Sequence, residues 1–220
     1  MCGIFGYLNH LTPKSRREIV DVLIAGLKRL EYRGYDSAGI GVDAADPKNT
    51  RLIKAVGKVK VLEDRIAAES PDLALDAEAS THVGIAHTRW ATHGAPSELN
   101  CHPHRSDAEN DFIVVHNGIV TNYKDIKNLL ESKGVSFESD TDTEVIAKLI
   151  SHVRESEPRL DFRTLVQRVV GELDGAFALC FKSRLFPGEC VVTRKGSPLL
   201  IGIKATHEVS IPDSIPVSIK

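Results

Sequence analysis

The chain has 220 residues, 42% of them hydrophobic, 26% charged and 5% aromatic, which excludes collagen-like and disordered chains. Twenty-eight Lys and Arg against thirty Asp and Glu leave a net charge of -2, so there is no global field for a polyanion and no nucleic acid partner is expected. Apolar stretches such as Val22 to Leu27 reach about six residues against the roughly 18 to 20 that cross a bilayer, so no membrane partner is expected either. The start of the chain lacks the basic region and long apolar core of a secretory signal, and no Asn-x-Ser/Thr acceptor occurs, which points to the cytoplasm. Cys2, Cys101, Cys180 and Cys190 lie far apart in sequence with no C-x-x-C pair and read as independent reduced thiols.

In chain order, apolar runs bounded by Gly, Pro or Asp predict strands at 2–8, 38–43, 51–57, 82–90, 112–118, 176–182, 189–194 and 199–204. A first helix begins near Ser15, spaced from Glu18 as in a capping box, turns Ile19, Leu23, Leu27 and Leu30 to one side, and ends near Gly34. A second runs from about Asn122 to Gly134 with Ile126, Leu129 and Leu130 inward. A third starts at Thr141, with Glu144 three residues on and Val145, Ile146, Leu149, Ile150 and Val153 toward the core, and a fourth covers 162–173. The polar, Pro-containing stretches 44–50, 70–80 and 155–161 read as surface loops, none long enough to divide the chain. Short connections between strands, with consecutive helices between 112 and 176, favour antiparallel sheets with helices layered on them in a single domain over 1–220.

Met1 is the only methionine and precedes a small residue, Cys2, of the kind that permits its removal. Cleavage would expose a thiol and a free α-amine on one residue. An α-amine has a pKa of about 7.7 to 8.0 and can act as the general base for an adjacent nucleophile. The alternative is that Cys2 is a small apolar residue opening a strand. Position alone favours that alternative.

Five segments change the balance: CGIFGYL at the start, LEYRGYDSAGIGV at 30–42, GIAHTRWATHG at 84–94, VVHNGIVTNY at 114–123 and SDTDTEVIAKL at 139–149. Together they resemble the glutaminase domain of class II glutamine amidotransferases, and within that family the members that aminate fructose 6-phosphate. The likeness extends through about residue 203. It implies an α+β, N-terminal nucleophile hydrolase fold, a four-layer αββα sandwich of two antiparallel sheets. The periodicity permits that fold but does not single it out.

The resemblance also implies roles. Cys2 is the nucleophile, Asn117 (side-chain amide) and Gly118 (backbone N–H) form the oxyanion hole, and Arg33 lies beside the N-terminal amine, where a positive neighbour discourages its protonation. Gly lacks a Cβ and brings backbone close to substrate, so an Asn-Gly turn suits that task, although an ordinary hairpin turn has the same sequence. Arg89 matches the arginine that holds the substrate α-carboxylate, for which a guanidinium fork is suited. Asp142 matches the aspartate that accepts the α-ammonium, in a helix first turn where the dipole favours negative charge; a plain capping aspartate would sit there too. Trp90, the only tryptophan, covers the site, Thr92 and His93 line it, and His102 positions substrate from a mobile loop near the entrance.

Six of nine histidines fall within residues 82–116, but the pairwise spacing of structural zinc sites is missing, so no metal is expected. His82, His87 and His116 read as packed or hydrogen-bonded scaffold. Gly34, Gly39 and Gly41 do not form G-x-G-x-x-G, so no dinucleotide is expected, and the implied mechanism needs no other cofactor. The substrate implied is L-glutamine, hydrolysed to glutamate and ammonia. Fructose 6-phosphate is a partner only through a sugar-phosphate isomerase region that these 220 residues do not include, and homo-oligomer formation is left open for the full enzyme. A catalytically silent interaction module on the same scaffold and a class II amidotransferase of another pathway remain the alternatives.

Overall fold

The computed structural model describes residues 2–46, 48–90 and 95–204, with the side chains of residues 71 and 72 left aside. In chain order the elements are β1 (Gly3–Asn9), β2 (Lys14–Ser15), α1 (Arg16–Leu30), β3 (Ser37–Asp43), β4 (Thr50–Val56), α2 (Val59–Ala68), α3 (Ser70–Leu73) and β5 (Glu78–Ala79). They continue as β6 (His82–Arg89), β7 (His104–Arg105), β8 (Phe112–Val120), α4 (Tyr123–Ser132), α5 (Asp142–Ser156), α6 (Phe162–Gly171), β9 (Gly175–Ser183) and β10 (Cys190–Lys195). One antiparallel sheet has the order β1-β6-β3-β4, a second β10-β9-β8-β7, and β2 pairs with β5 apart from both.

The period of two along each strand sorts side chains into three apolar layers. Ile40, Ile53 and Ala86 face α1 and α2, where Ile19, Leu23, Leu27 and Leu62 meet them. Phe112, Val114, Phe177, Leu179 and Phe181 face α4 to α6, against Val145, Ile150, Phe162 and Leu165. The alternate residues Ile85, Ile113, Val115 and Cys180 fill the space between the sheets, with Ile4 and Leu52 at its margin. The result is helix, sheet, sheet, helix, the αββα sandwich that the resemblance implied. The far end of the inter-sheet layer holds a buried charge pair. Lys182 of β9 bonds Asp43 of β3, which also accepts from the Val83 amide at 2.9 Å, so the two sheets are joined there by polar as well as apolar contact.

Local chemistry explains the element ends. The Ser15 hydroxyl accepts from the Glu18 amide at 3.2 Å while the Glu18 carboxylate accepts from the Ser15 amide at 2.8 Å, the reciprocal cap expected from their spacing. In α5 the cap differs from expectation: Thr141 is the N-cap, but its hydroxyl meets His104 Nε2 at 3.0 Å rather than capping the helix, and Glu144 instead accepts from the amides of Glu138 and Ser139 at 2.8 and 2.6 Å.

Several expectations need correction. Residues 199–204 form no strand: no neighbouring strand pairs them, and Leu200 is 93% exposed. The stretch 70–80 contains α3 and β5 and buries Leu73 and Leu75, so it is part of the packing rather than a surface loop. Helix α2 is not anticipated, although Val59, Leu62 and Ile66 have helical spacing and are all buried. Leu129 is half exposed because Ile126 and Leu130, one turn apart, carry the packing of α4, and Leu129 lies about 100° round the helix from Leu130. Cys180 and Cys190 are not independent: they lie on paired strands and their sulfurs are 3.5 Å apart as free thiols. No described helix is long and apolar enough to cross a membrane.

Candidate active site

The same alternation that builds the inter-sheet layer aims the candidate site residues into one end of it. Cys2 shares the parity of Ile4 on β1, Arg89 and His87 that of Ile85 on β6, and Asn117 that of Ile113 and Val115 on β8. Strand β1 runs antiparallel to β6 with Gly3 opposite Thr88, which brings the first residues of the chain to the end of β6.

There Cys2 is half buried, and its sulfur accepts the Trp90 amide hydrogen at 3.3 Å and lies 3.7 Å from the Trp90 carbonyl oxygen. The Cys2 carbonyl accepts from Arg33 Nε at 3.3 Å and from Asn117 Nδ2 at 3.1 Å. Three other sequence candidates, Arg33, Trp90 and Asn117, therefore meet at Cys2. Trp90 is 42% exposed and meets Tyr35 edge-on at 5.4 Å, so its indole forms part of the outer wall. The YRGYDS segment is held against β6 by the Asp36 amide, which donates to the Arg89 carbonyl at 3.0 Å; a Cβ on Gly34 would lie 2.7 Å from the Arg89 carbonyl carbon, so the approach requires glycine.

Asn117 and Gly118 do not form a turn. They lie within β8, which stays paired with β9 to Val120. Gly118 has φ +137°, and a Cβ there would sit 2.2 Å from the Ala176 carbonyl oxygen, so only glycine fits. Asn117 is half buried and Gly118 exposed, which leaves both within reach of a small molecule beside Cys2.

Asp142 occupies the first turn of α5, 8% exposed, and accepts from the Val120 amide at 3.0 Å and from the Thr143 hydroxyl at 3.4 Å. The Thr143 hydroxyl also meets His116 Nδ1 at 2.9 Å and His102 Nε2 at 3.1 Å. Arg89 is 4% exposed at the end of β6. Thr92 and His93 lie outside the described residues. His102 is not at an entrance: it is 5% exposed and stacked on His87 at 4.0 Å, because the segment carrying it packs between the sheets, where its carbonyl fills the space beside Gly39.

Behind these groups lies a buried set of histidines. Burial holds His87 down to about 3 and pushes His102, His104 and His116 below the usual imidazole range, so all four are neutral at pH 7. Among the described residues no group of three or more His, Cys, Asp or Glu is gathered as metal ligands. The sequence reading does not single out Thr143, and it leaves His87 as scaffold. The available signal is the period of two, since His87 is two residues before Arg89 on the same strand face.

A cavity of about 210 Å³ lies elsewhere, between β4 and β7, lined by Lys54, Arg105, Glu138 and Glu144 among others. Its Arg105–Glu138 pair is bidentate at 2.8 and 3.0 Å, and burial lowers Lys54 to about 8. Among the described residues, none of the cysteines and none of the sequence candidates lines it.

Residues 87–189 match the family model described as a glutamine amidotransferase domain. The chain is 56% identical to glutamine--fructose-6-phosphate aminotransferase [isomerizing] 1 of Rattus norvegicus, over 99% of this chain and 33% of that protein. It is 51% identical to the aminotransferase of the same name from Saccharomyces cerevisiae, over 96% of this chain and 30% of that one. It thus spans about a third of the length of these relatives. Among solved structures, glutamine phosphoribosylpyrophosphate amidotransferase from B. subtilis, complexed with ADP and GMP, matches 84% of this chain and 35% of its own, with a TM-score of 0.60 and 24% identity. A second structure, an allosteric regulatory enzyme of purine biosynthesis, gives 0.63 and 25% over the same share of this chain. The sandwich is thus the fold of the N-terminal nucleophile amidotransferases.

Proposed function

Because the chain carries a glutamine amidotransferase domain, we propose that it hydrolyses L-glutamine to glutamate and ammonia through a thioester on Cys2. With Met1 removed, the α-amine takes the thiol proton and the sulfur attacks the side-chain carbonyl carbon of glutamine. The tetrahedral oxyanion is met by the Asn117 amide and the Gly118 N–H. The C–N bond breaks, the amine returns its proton to the leaving ammonia, and water cleaves the thioester to glutamate, restoring the thiol. Arg33, beside the Cys2 carbonyl, disfavours a second positive charge on the neighbouring amine. Arg89 holds the substrate α-carboxylate and Asp142 its α-ammonium, with Trp90, Thr92 and His93 around the bound amino acid and His102 supporting them from behind.

The observation that carries this reading is the convergence on Cys2: the sulfur on the Trp90 amide, and the carbonyl tied to both Arg33 and Asn117. The proposed acceptor of the ammonia is fructose 6-phosphate, the sugar in the names of its relatives, and the proposed compartment is the cytoplasm.

Ammonia release from L-glutamine tests the reading directly. Asp142→Asn removes the charge that meets the α-ammonium while keeping an acceptor for the Val120 amide. A charge-assisted bond is worth about 1.5 to 3 kcal/mol, so KM is expected to rise roughly 10- to 100-fold with kcat changed less than about threefold. An unchanged KM in that variant would remove Asp142 from the substrate site.

A further inference from the structure

A carboxamide has two ends of nearly the same shape and opposite polarity, so a side chain that must donate to an oxyanion has to be held the right way round. We propose that His87 is the positioning residue that holds Asn117 with its nitrogen toward Cys2 and the substrate. This inference rests on the glutaminase reading and adds to it a part that the reaction scheme does not contain. His87 is fully buried on β6, with Nε2 3.0 Å from the His116 carbonyl oxygen and 3.0 Å from Asn117 Oδ1. A backbone carbonyl can only accept, so the ring hydrogen sits on Nε2 and is shared between the two oxygens. Nδ1 is then the bare nitrogen of a neutral ring, in agreement with its having no hydrogen-bond partner among the described residues. His102 closes one face of the ring at 4.0 Å and is itself tied to Thr143 at 3.1 Å, so the imidazole is held by packing as well as by its bonds.

Turning the Asn117 amide over would set its NH2 against the His87 N–H and its oxygen against the Cys2 carbonyl. Two donors would face each other at one end and two acceptors at the other, so only one orientation is satisfied. In that orientation one Nδ2 hydrogen goes to the Cys2 carbonyl at 3.1 Å and the other is available to the substrate.

The test compares two isosteres in the whole chain. His87→Gln places an amide N–H close to the Nε2 position, whereas His87→Asn is one methylene shorter and cannot reach Asn117. Deleting an oxyanion donor costs about 100- to 1000-fold, and letting it turn should cost less, so His87→Asn is expected to lower kcat roughly 10- to 100-fold with KM within about threefold. His87→Gln should stay within about threefold of wild type. In an Asn117→Ala background His87→Asn should add no more than about a twofold loss, because the group it positions is gone. Alkylation of Cys2 by a chloroketone analogue of glutamine should proceed in every variant, showing that nucleophile and substrate pocket persist. Equal losses from Gln and Asn, wild-type kcat in His87→Asn, or the same fall with and without Asn117 would each overturn the proposal. A wild-type chain that releases no ammonia from glutamine defeats the functional reading and this inference with it. An active wild type with an unaffected His87→Asn defeats only the inference.

Discussion

Cys2→Ala is expected to lower glutamine hydrolysis by at least about 10⁴-fold, equivalent to roughly 5.4 kcal/mol on the barrier, with the melting temperature within about 2 °C of wild type. The activity falls that far because no other thiol can substitute. Cys101 is fully buried and burial raises its pKa, while Cys180 lies inside the inter-sheet layer beside Cys190. The fold survives because the Cys2 side chain is half exposed and, among the described residues, its sulfur is hydrogen-bonded only to the Trp90 backbone, at 3.3 and 3.7 Å. The Cys2 carbonyl, which carries the bonds to Arg33 and Asn117, is untouched by the substitution. Steady-state ammonia release together with thermal unfolding checks both halves. Activity within tenfold of wild type would mean that the reaction uses another group.

The second large effect is on stability, and it follows from the buried imidazoles. His82 is held down to about 4 and His87 to about 3, in both cases chiefly by burial, and His102, His104 and His116 are shifted in the same direction. An unfolded histidine titrates near 6.5, so below that pH the unfolded chain binds more protons than the folded one and stability falls as pH falls. The stabilising term is fully present above about pH 6.5 and is lost progressively down to the folded values. At pH 5 each of His82 and His87 removes about 2 kcal/mol, and two such losses consume much of the 5 to 15 kcal/mol typical of a domain. Unfolding is therefore expected with a midpoint near pH 5 and with uptake of several protons. Circular dichroism and the fluorescence of Trp90, the only tryptophan, would follow it between pH 8 and 4. A melting temperature that stays level from pH 7 to 5 would contradict the assignment of these rings as neutral and buried.

Strands buried on both sides are legible in the sequence where they carry continuous apolar runs, as in Phe112–Val115 of β8, where every residue is buried. Helix α1 is legible for a different reason: its reciprocal cap is written in the spacing of Ser15 and Glu18. Segment 199–204 fails because apolar content signals a strand only when a partner edge exists to pair it. Helix α2 escapes notice because Lys and Glu interrupt a stripe of only three apolar positions, Val59, Leu62 and Ile66. At the site, Cys2, Arg33, Trp90 and Asn117 are named by motif resemblance, and their meeting is a consequence of strand parity. Their support is not legible in the same way. Whether His87 faces Asn117 depends on the register between two sheets that share no hydrogen-bonded strand pair, and no local pattern encodes that distance. The placement of His102 shows the same limit: the resemblance puts it on a mobile loop near the entrance, yet tertiary packing puts its ring between two other histidines.

The central claim is that the amine which activates the sulfur belongs to Cys2 itself. It is tested most directly by comparing ammonia release from two forms of the chain whose intact masses have been verified, one beginning at Cys2 and one with a residue retained before it. A retained residue moves the amine by about one Cα spacing, 3.8 Å, out of reach of its role as base. The form beginning at Cys2 should hydrolyse glutamine at least about 100-fold faster, the scale of a lost general base. Equal rates from the two forms would contradict the account.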